Sequence, residues 1–138
     1  MLKEKVMDLH IFDKEYTHQF IVSDSVYSSF QLCSGDFNPL HTDVGFAKGK
    51  GFCGCVMYGN ILNAFVSYFV GMLLPQKDVI IHSQDIAYKN PVYKNDVLDF
   101  YASVSGIFES VNAVEFKFTF RNQEKVIVAK GHVQIGVL

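Results

Sequence analysis

The chain has 138 residues and a mass of 15.6 kDa, room for one domain of ordinary size and not for two. It is 49% hydrophobic and 19% charged, which excludes a disordered chain. A net charge of −2 gives no overall case for nucleic acid or an anionic membrane as partner, and leaves room only for a local basic patch against a small phosphorylated ligand.

In chain order, the first 16 residues (MLKEKVMDLHIFDKEY) carry no apolar signal core. The cysteine number is odd, with Cys33, Cys53 and Cys55, so a reduced, cytoplasmic protein is expected. Cys53-Gly-Cys55 offers half of a metal site, but no second Cys/His pair at useful spacing joins it. The two are read as buried small hydrophobes, and no metal is expected. Residues 16–23 suit a short strand. Ser23 or Asp24 then caps a short helix with Val26, Tyr27, Phe30 and Leu32 at helical spacing. Ser34-Gly35-Asp36-Phe37-Asn38-Pro39 forms turns and stops it. A second helical piece covers residues 43–47, and residues 48–51 are a loop.

No charge occurs from Gly51 to Gln76. Within that stretch residues 61–74 read ILNAFVSYFVGMLL, shorter than the roughly 20 residues of a membrane span. Gly54, Gly59, Asn60 and Asn63 interrupt its approach. The expectation is therefore a buried core helix, residues 59–74, apolar nearly all round and ending before Pro75.

After Pro75 the period changes to two. Residues 79–88 supply a strand before Asn90-Pro91. Leu98, Phe100, Ala102 and Val104 share one face, opposite Asp99, Ser103 and Ser105. Val114, Phe116, Phe118 and Phe120 share another, opposite Glu115, Lys117, Thr119 and Arg121. Ile127, Ala129, Val133 and Ile135 repeat the pattern after a turn at Asn122-Gln123-Glu124. One helix with four such strands behind it predicts an α+β fold, a long central helix wrapped by a curved antiparallel β-sheet. Its free edges make dimerisation a natural completion.

Asp36 and His41 are the candidates for chemistry. Gly35 permits an unusual backbone, and Pro39 fixes its own φ and extends Asn38. A stiff loop of this kind can hold a carboxylate and an imidazole about one water. Asp36 would accept a proton, and His41 would orient the water or donate one. The competing reading makes all of these turn residues, with His41 on the surface.

Leu32-Cys-Ser-Gly-Asp-Phe-Asn-Pro-Leu-His41, with Ala47 beyond, resembles the hydratase-2 motif of the MaoC-like dehydratases and (R)-specific enoyl-CoA hydratases. Residues 52–62 are similar to the family's glycine-bearing approach to the helix, and Tyr88-Lys-Asn-Pro-Val-Tyr-Lys-Asn-Asp96 to its Pro-Val strand. The resemblance implies a single hotdog domain over residues 1–138. It implies a lyase interconverting a trans-2-enoyl thioester and its (R)-3-hydroxyacyl thioester, carried by coenzyme A or acyl carrier protein, without cofactor. Asp36 and His41 match the catalytic dyad, and Asn38 a supporting polar residue. Gly59 matches the glycine whose N–H binds the thioester carbonyl, and Ser67 a polar pocket position in some bacterial members. Ser67 reads equally well as a core serine bonded to the preceding turn. Tyr58 stands where the family usually has His, which alters pocket shape or polarity. Asn95-Asp96 stands for Gly-Asp, and Asn tolerates the same left-handed turn. A homodimer is implied. The alternatives are a hotdog acyl thioesterase, a dehydratase acting on an unusual hydroxyacyl group, or an acyl-thioester-binding protein without turnover. His10, His18, His82 and His132 carry no motif and are expected at the surface or in the sheet.

Overall fold

A computed structural model describes Phe12 and residues 14–138; His10 and most of the N-terminal stretch read for a signal core, residues 1–11 and 13, lie outside these residues. Strand β1 (Glu15–Ile21) leads into α1 (Asp24–Ser34), then the short helices α2 (Pro39–Thr42) and α3 (Val44–Gly49). The central helix α4 (Ile61–Tyr68) follows, with a π-helical last turn, Phe69–Leu73. Strands β2 (Val79–Tyr88), β3 (Val97–Phe108), β4 (Ala113–Arg121) and β5 (Ile127–Val137) complete the chain. The five strands form one antiparallel sheet in the order β1-β3-β4-β5-β2.

The period-two faces decide the packing. Leu98, Phe100 and Ala102 of β3, Phe116, Phe118 and Phe120 of β4, and Ala129, Val133 and Ile135 of β5 are buried. Against them α4 sets Ile61, Leu62, Phe65 and Val66, and the π turn sets Phe69 and Val70. Aromatic edges lock this layer, with Phe65 stacked on Phe20 at 4.4 Å and Phe69 edge-on to Phe116 at 5.2 Å. Each buried Phe contributes about 1.5–3 kcal/mol by leaving water. Ladder shifts at Ile81/Ser83, Val104/Gly106 and Phe120/Arg121 bend the strands locally.

Several expectations need correction. The helix starts at Ile61, two residues after Gly59, and its end widens so that Leu74 N–H reaches Phe69 O at 3.3 Å. Lys77 Nζ then takes up the free carbonyls of Gly71, Met72 and Leu74, complementing the helix dipole. The helix is also not enclosed all round, since Tyr68 and Met72 are 40% and 63% exposed. A five-stranded sheet covers one side of a helix, and the opposite side stays open. No helix is long and apolar enough to cross a membrane among the described residues. Leu32, expected on the buried face of α1, is 80% exposed, because only Tyr27 and its flanks reach the core. Cys53 is exposed and Cys55 half-buried, on a surface segment before the helix rather than in the core. Residues 48 and 49 belong to α3, so the expected loop shrinks to its last two residues. Among the histidines, His18 is half-buried in β1 and His82 and His132 are exposed in the sheet.

Candidate active site

The loop between α1 and α2 is built from its own short-range bonds. Ser23 Oγ caps α1 by accepting from Val26 N–H. Gly35 ends that helix at φ 68°, a left-handed conformation that costs glycine little, and donates its N–H to Gln31 O. Asp36 Oδ1 accepts from Asn38 N–H at 2.9 Å. Asn38 Oδ1 in turn caps α2 through Leu40 N–H at 3.0 Å, with Pro39 in the first turn. Asn38 thus braces the pair twice, by its backbone to Asp36 and by its side chain to the helix carrying His41.

This folding leaves Asp36 Oδ2 3.8 Å from His41 Nε2. His41 Nδ1 lies 2.6 Å from Val56 O. A carbonyl only accepts, so Nδ1 carries a hydrogen, and the neutral form of His41 presents its Nε2 lone pair to the carboxylate. Two acceptors form no hydrogen bond with each other, and at this separation they suit one water that donates a hydrogen to each. The Asp36 side chain is 43% exposed and the His41 side chain 17%, so a substrate can reach the pair from the Asp36 side.

Tyr58 and Tyr27 stand behind them. Tyr58 is 2% exposed, donates its hydroxyl to Asp36 O at 2.5 Å, and stacks on the His41 ring at 4.1 Å and 26°. Tyr27 donates to His41 O at 2.6 Å, and its ring lies 5.1 Å from Tyr58. Burial pushes the Tyr27 phenol up to about 12, reinforced by Cys55, Tyr58 and Asp36.

The second half of the site is the segment 52–59. It is pinned on one side by Val56 N–H to Leu40 O at 3.0 Å and on the other by Met57 N–H to Val92 O at 2.7 Å. Asn95, at φ 73°, makes the left-handed turn expected of it at the end of the Pro-Val segment. A cleft of about 540 Å³ opens between the two segments, lined among others by Val56, Met57, Gly59, Asn60, Tyr88 and Val92. Gly59 precedes α4, and among the described residues nothing accepts from its N–H. A methyl group at Gly59 would lie 2.9 Å from Tyr88 Cζ, so the ring sits directly over this glycine.

The structure brings Asp36, Asn38, His41 and Tyr58 together beside the cleft, which they do not line, and puts Gly59 in it, with Val56 belonging to both groups. Ser67 stands apart. It is exposed on the open face of α4, so the reading as a core serine does not hold, and it does not line the cleft. Phe65 and Phe69 fill the core, and Tyr68, 40% exposed, lies at its edge against His18 and Phe20 of β1. Tyr27, Tyr88 and the Val56 carbonyl were not singled out from the sequence. Tyr27 looked like any apolar position of a helix, and a backbone carbonyl leaves no mark in a sequence.

The chain is 33% identical over 82 residues to the (R)-specific enoyl-CoA hydratase of Aeromonas caviae. That alignment covers 59% of this chain and spans 61% of the length of the curated relative. It is 24% identical over 114 residues to the mitochondrial 3-hydroxyacyl-[acyl-carrier-protein] dehydratase of Arabidopsis thaliana, 80% of this chain and 68% of that one. The solved structure of the A. caviae (R)-hydratase involved in PHA biosynthesis superposes with a TM-score of 0.84 at 22% identity, over 97% of this chain and 99% of that one. This likeness shows the hotdog fold. The profile of the MaoC like domain matches residues 13–126, which takes in the Asp36–His41 loop, the helix and the Pro-Val segment, and the chain belongs to the MaoC-like domain family.

Proposed function

We propose that this chain is a hydro-lyase that interconverts a trans-2-enoyl thioester, on coenzyme A or acyl carrier protein, and the (R)-3-hydroxyacyl thioester. The observation that carries the reading is the 3.8 Å facing of Asp36 Oδ2 and His41 Nε2, with Asp36 Oδ1 and His41 Nδ1 already fixed by backbone partners. Membership of the MaoC-like family and similarity to two enzymes of this reaction class support it.

In this mechanism Gly59 N–H, two residues ahead of α4 and without an acceptor among the described residues, holds the thioester oxygen, and the positive end of the helix dipole favours the developing enolate charge. One water donates to Asp36 and His41. Its oxygen bonds to the β-carbon as Asp36 takes a proton, and Asp36 returns a proton to the α-carbon from the same side. The double bond is replaced by one C–O and one C–H bond, and the thioester is untouched. Asn38 holds Asp36, and Ser67, exposed on α4 and outside the cleft, is given no part in the reaction.

Two copies are expected to assemble. The support is the open α4 face, with Met72 exposed and Tyr68 half-exposed against β1, together with edge strand β2, where Ile80 and Ile81 are exposed. Sedimentation showing an active monomer would refute this part. Residues 1–138 are read as one domain working in the cytoplasm. The test of function follows loss of the conjugated enoyl absorbance of a short trans-2-enoyl-CoA alongside release of free thiol. Absorbance loss without thiol supports the lyase; equal rates of both would make the protein a thioesterase.

A further inference from the structure

We propose that Tyr58 is a positioning residue that fixes both members of the Asp36–His41 pair with one side chain, rather than a wall of the substrate pocket. The inference rests on the reading of that pair as the reacting groups. Tyr58 is 2% exposed, so its ring offers almost no surface to a ligand.

What it does contact is specific. The loop residues 35–38 are otherwise held by hydrogen bonds to partners no further along the chain than Thr42: Gln31 O, Ser34 Oγ, Asp36 Oδ1, His41 N–H, Leu40 N–H and the Thr42 hydroxyl. Among the described residues, the Tyr58 hydroxyl on Asp36 O is the hydrogen bond that ties this loop to a distant part of the chain. His41 has a different need. Its single ring hydrogen bond, Nδ1 to Val56 O, leaves the imidazole free to tilt about that axis. A ring face 4.1 Å away and inclined by 26° removes the tilt and sets the direction of Nε2. Tyr27 and Phe30, each with its ring 5.1 Å from that of Tyr58, hold Tyr58 from behind. Oδ2 and Nε2 are thereby referred to one rigid ring. A misplacement of about 1 Å at a reacting group can cost about 10²-fold in rate, which sets the scale of the effect.

The test compares Tyr58→Phe, which keeps the stack and loses the hydroxyl, with Tyr58→Leu, which loses both. Steady-state kinetics on a short trans-2-enoyl-CoA are paired with NMR of the His41 imidazole in histidine-labelled protein. Tyr58→Phe should lower kcat about tenfold with KM unchanged, and Tyr58→Leu about a hundredfold. The ring-current shift of His41 should persist in Tyr58→Phe and vanish in Tyr58→Leu. Wild-type kcat in Tyr58→Phe overturns the proposal, as does a raised KM at full kcat, which marks a substrate contact. An unmoved His41 signal in Tyr58→Leu also overturns it. Failure of the underlying reading shows separately, as Asp36→Asn keeping full turnover, and the imidazole signal then still decides whether Tyr58 holds His41.

Discussion

Replacing Asp36 by Asn changes one atom at the point where the proposed reaction happens. The carbonyl oxygen of Asn can still accept from Asn38 N–H, which Asp36 holds at 2.9 Å, so the turn survives. The amide nitrogen then faces His41 Nε2 in place of the carboxylate oxygen now 3.8 Å away. A donor replaces an acceptor, and the water loses its base. General acid–base groups contribute about 10²–10⁴-fold, so kcat should fall by at least about a hundredfold, or about 2.7 kcal/mol of barrier. Stability should hardly move, because surface substitutions of this kind stay within about 0.5 kcal/mol. His41→Ala should lose a similar rate factor but also some stability, since Val56 O loses its 2.6 Å partner and Tyr58 its stacked ring. Both residues act on one water, so the double variant should be no slower than the worse single. The assay is hydration of a short trans-2-enoyl-CoA, with thermal melts as control. Losses that multiply in the double variant, or near wild-type rate in either single, would refute the reasoning.

Further outcomes follow from the same contacts. Gly59→Ala should cost about 1 kcal/mol in a thermal melt, because the new methyl meets only the half-exposed Tyr88 ring at 2.9 Å, which can swing aside. The rate should nevertheless fall about 10²-fold as the carbonyl site is disturbed, and Tyr88→Ala should restore the stability alone. Gly131→Ala should cost about 3 kcal/mol in urea unfolding, because its methyl would fall inside the Asp85 carbonyl of the paired strand, where backbone cannot yield. Tyr27, raised to about 12 from 10.0 by burial first of all, stabilises the fold fully below pH 10 and loses that contribution as pH rises towards 12. Tyr27→Phe should remove this part of the alkaline decline, read by urea unfolding across pH 9–12.

The strands were legible because each buries one face: the Phe116, Phe118 and Phe120 alternation is visible without any knowledge of what lies opposite. The strand before Asn90-Pro91 matches β2 residue for residue, since the proline fixes where pairing must stop. The Gly35 and Asn95 conformations were legible for the same local reason. What could not be read depends on distant partners. Tyr68 and Met72 are as apolar as Phe65 and Phe69, and only the position of the sheet decides which pair is covered. The dyad loop was legible as a stiff turn, and its resemblance to a family named the pair. The Tyr58 stack joins residues 17 apart in the chain, and the anchor of His41 is the Val56 carbonyl, for which no side chain speaks.

In the proposed reaction, water held by Asp36 and His41 attacks the β-carbon of a thioester that stays intact. The most direct measurement is turnover of a short trans-2-enoyl-CoA in ¹⁸O-water, with the products read by mass spectrometry. One ¹⁸O is expected in the 3-hydroxyl group of an intact thioester, and its loss in Asp36→Asn. Label appearing instead in a released carboxylate, together with free thiol, would contradict it.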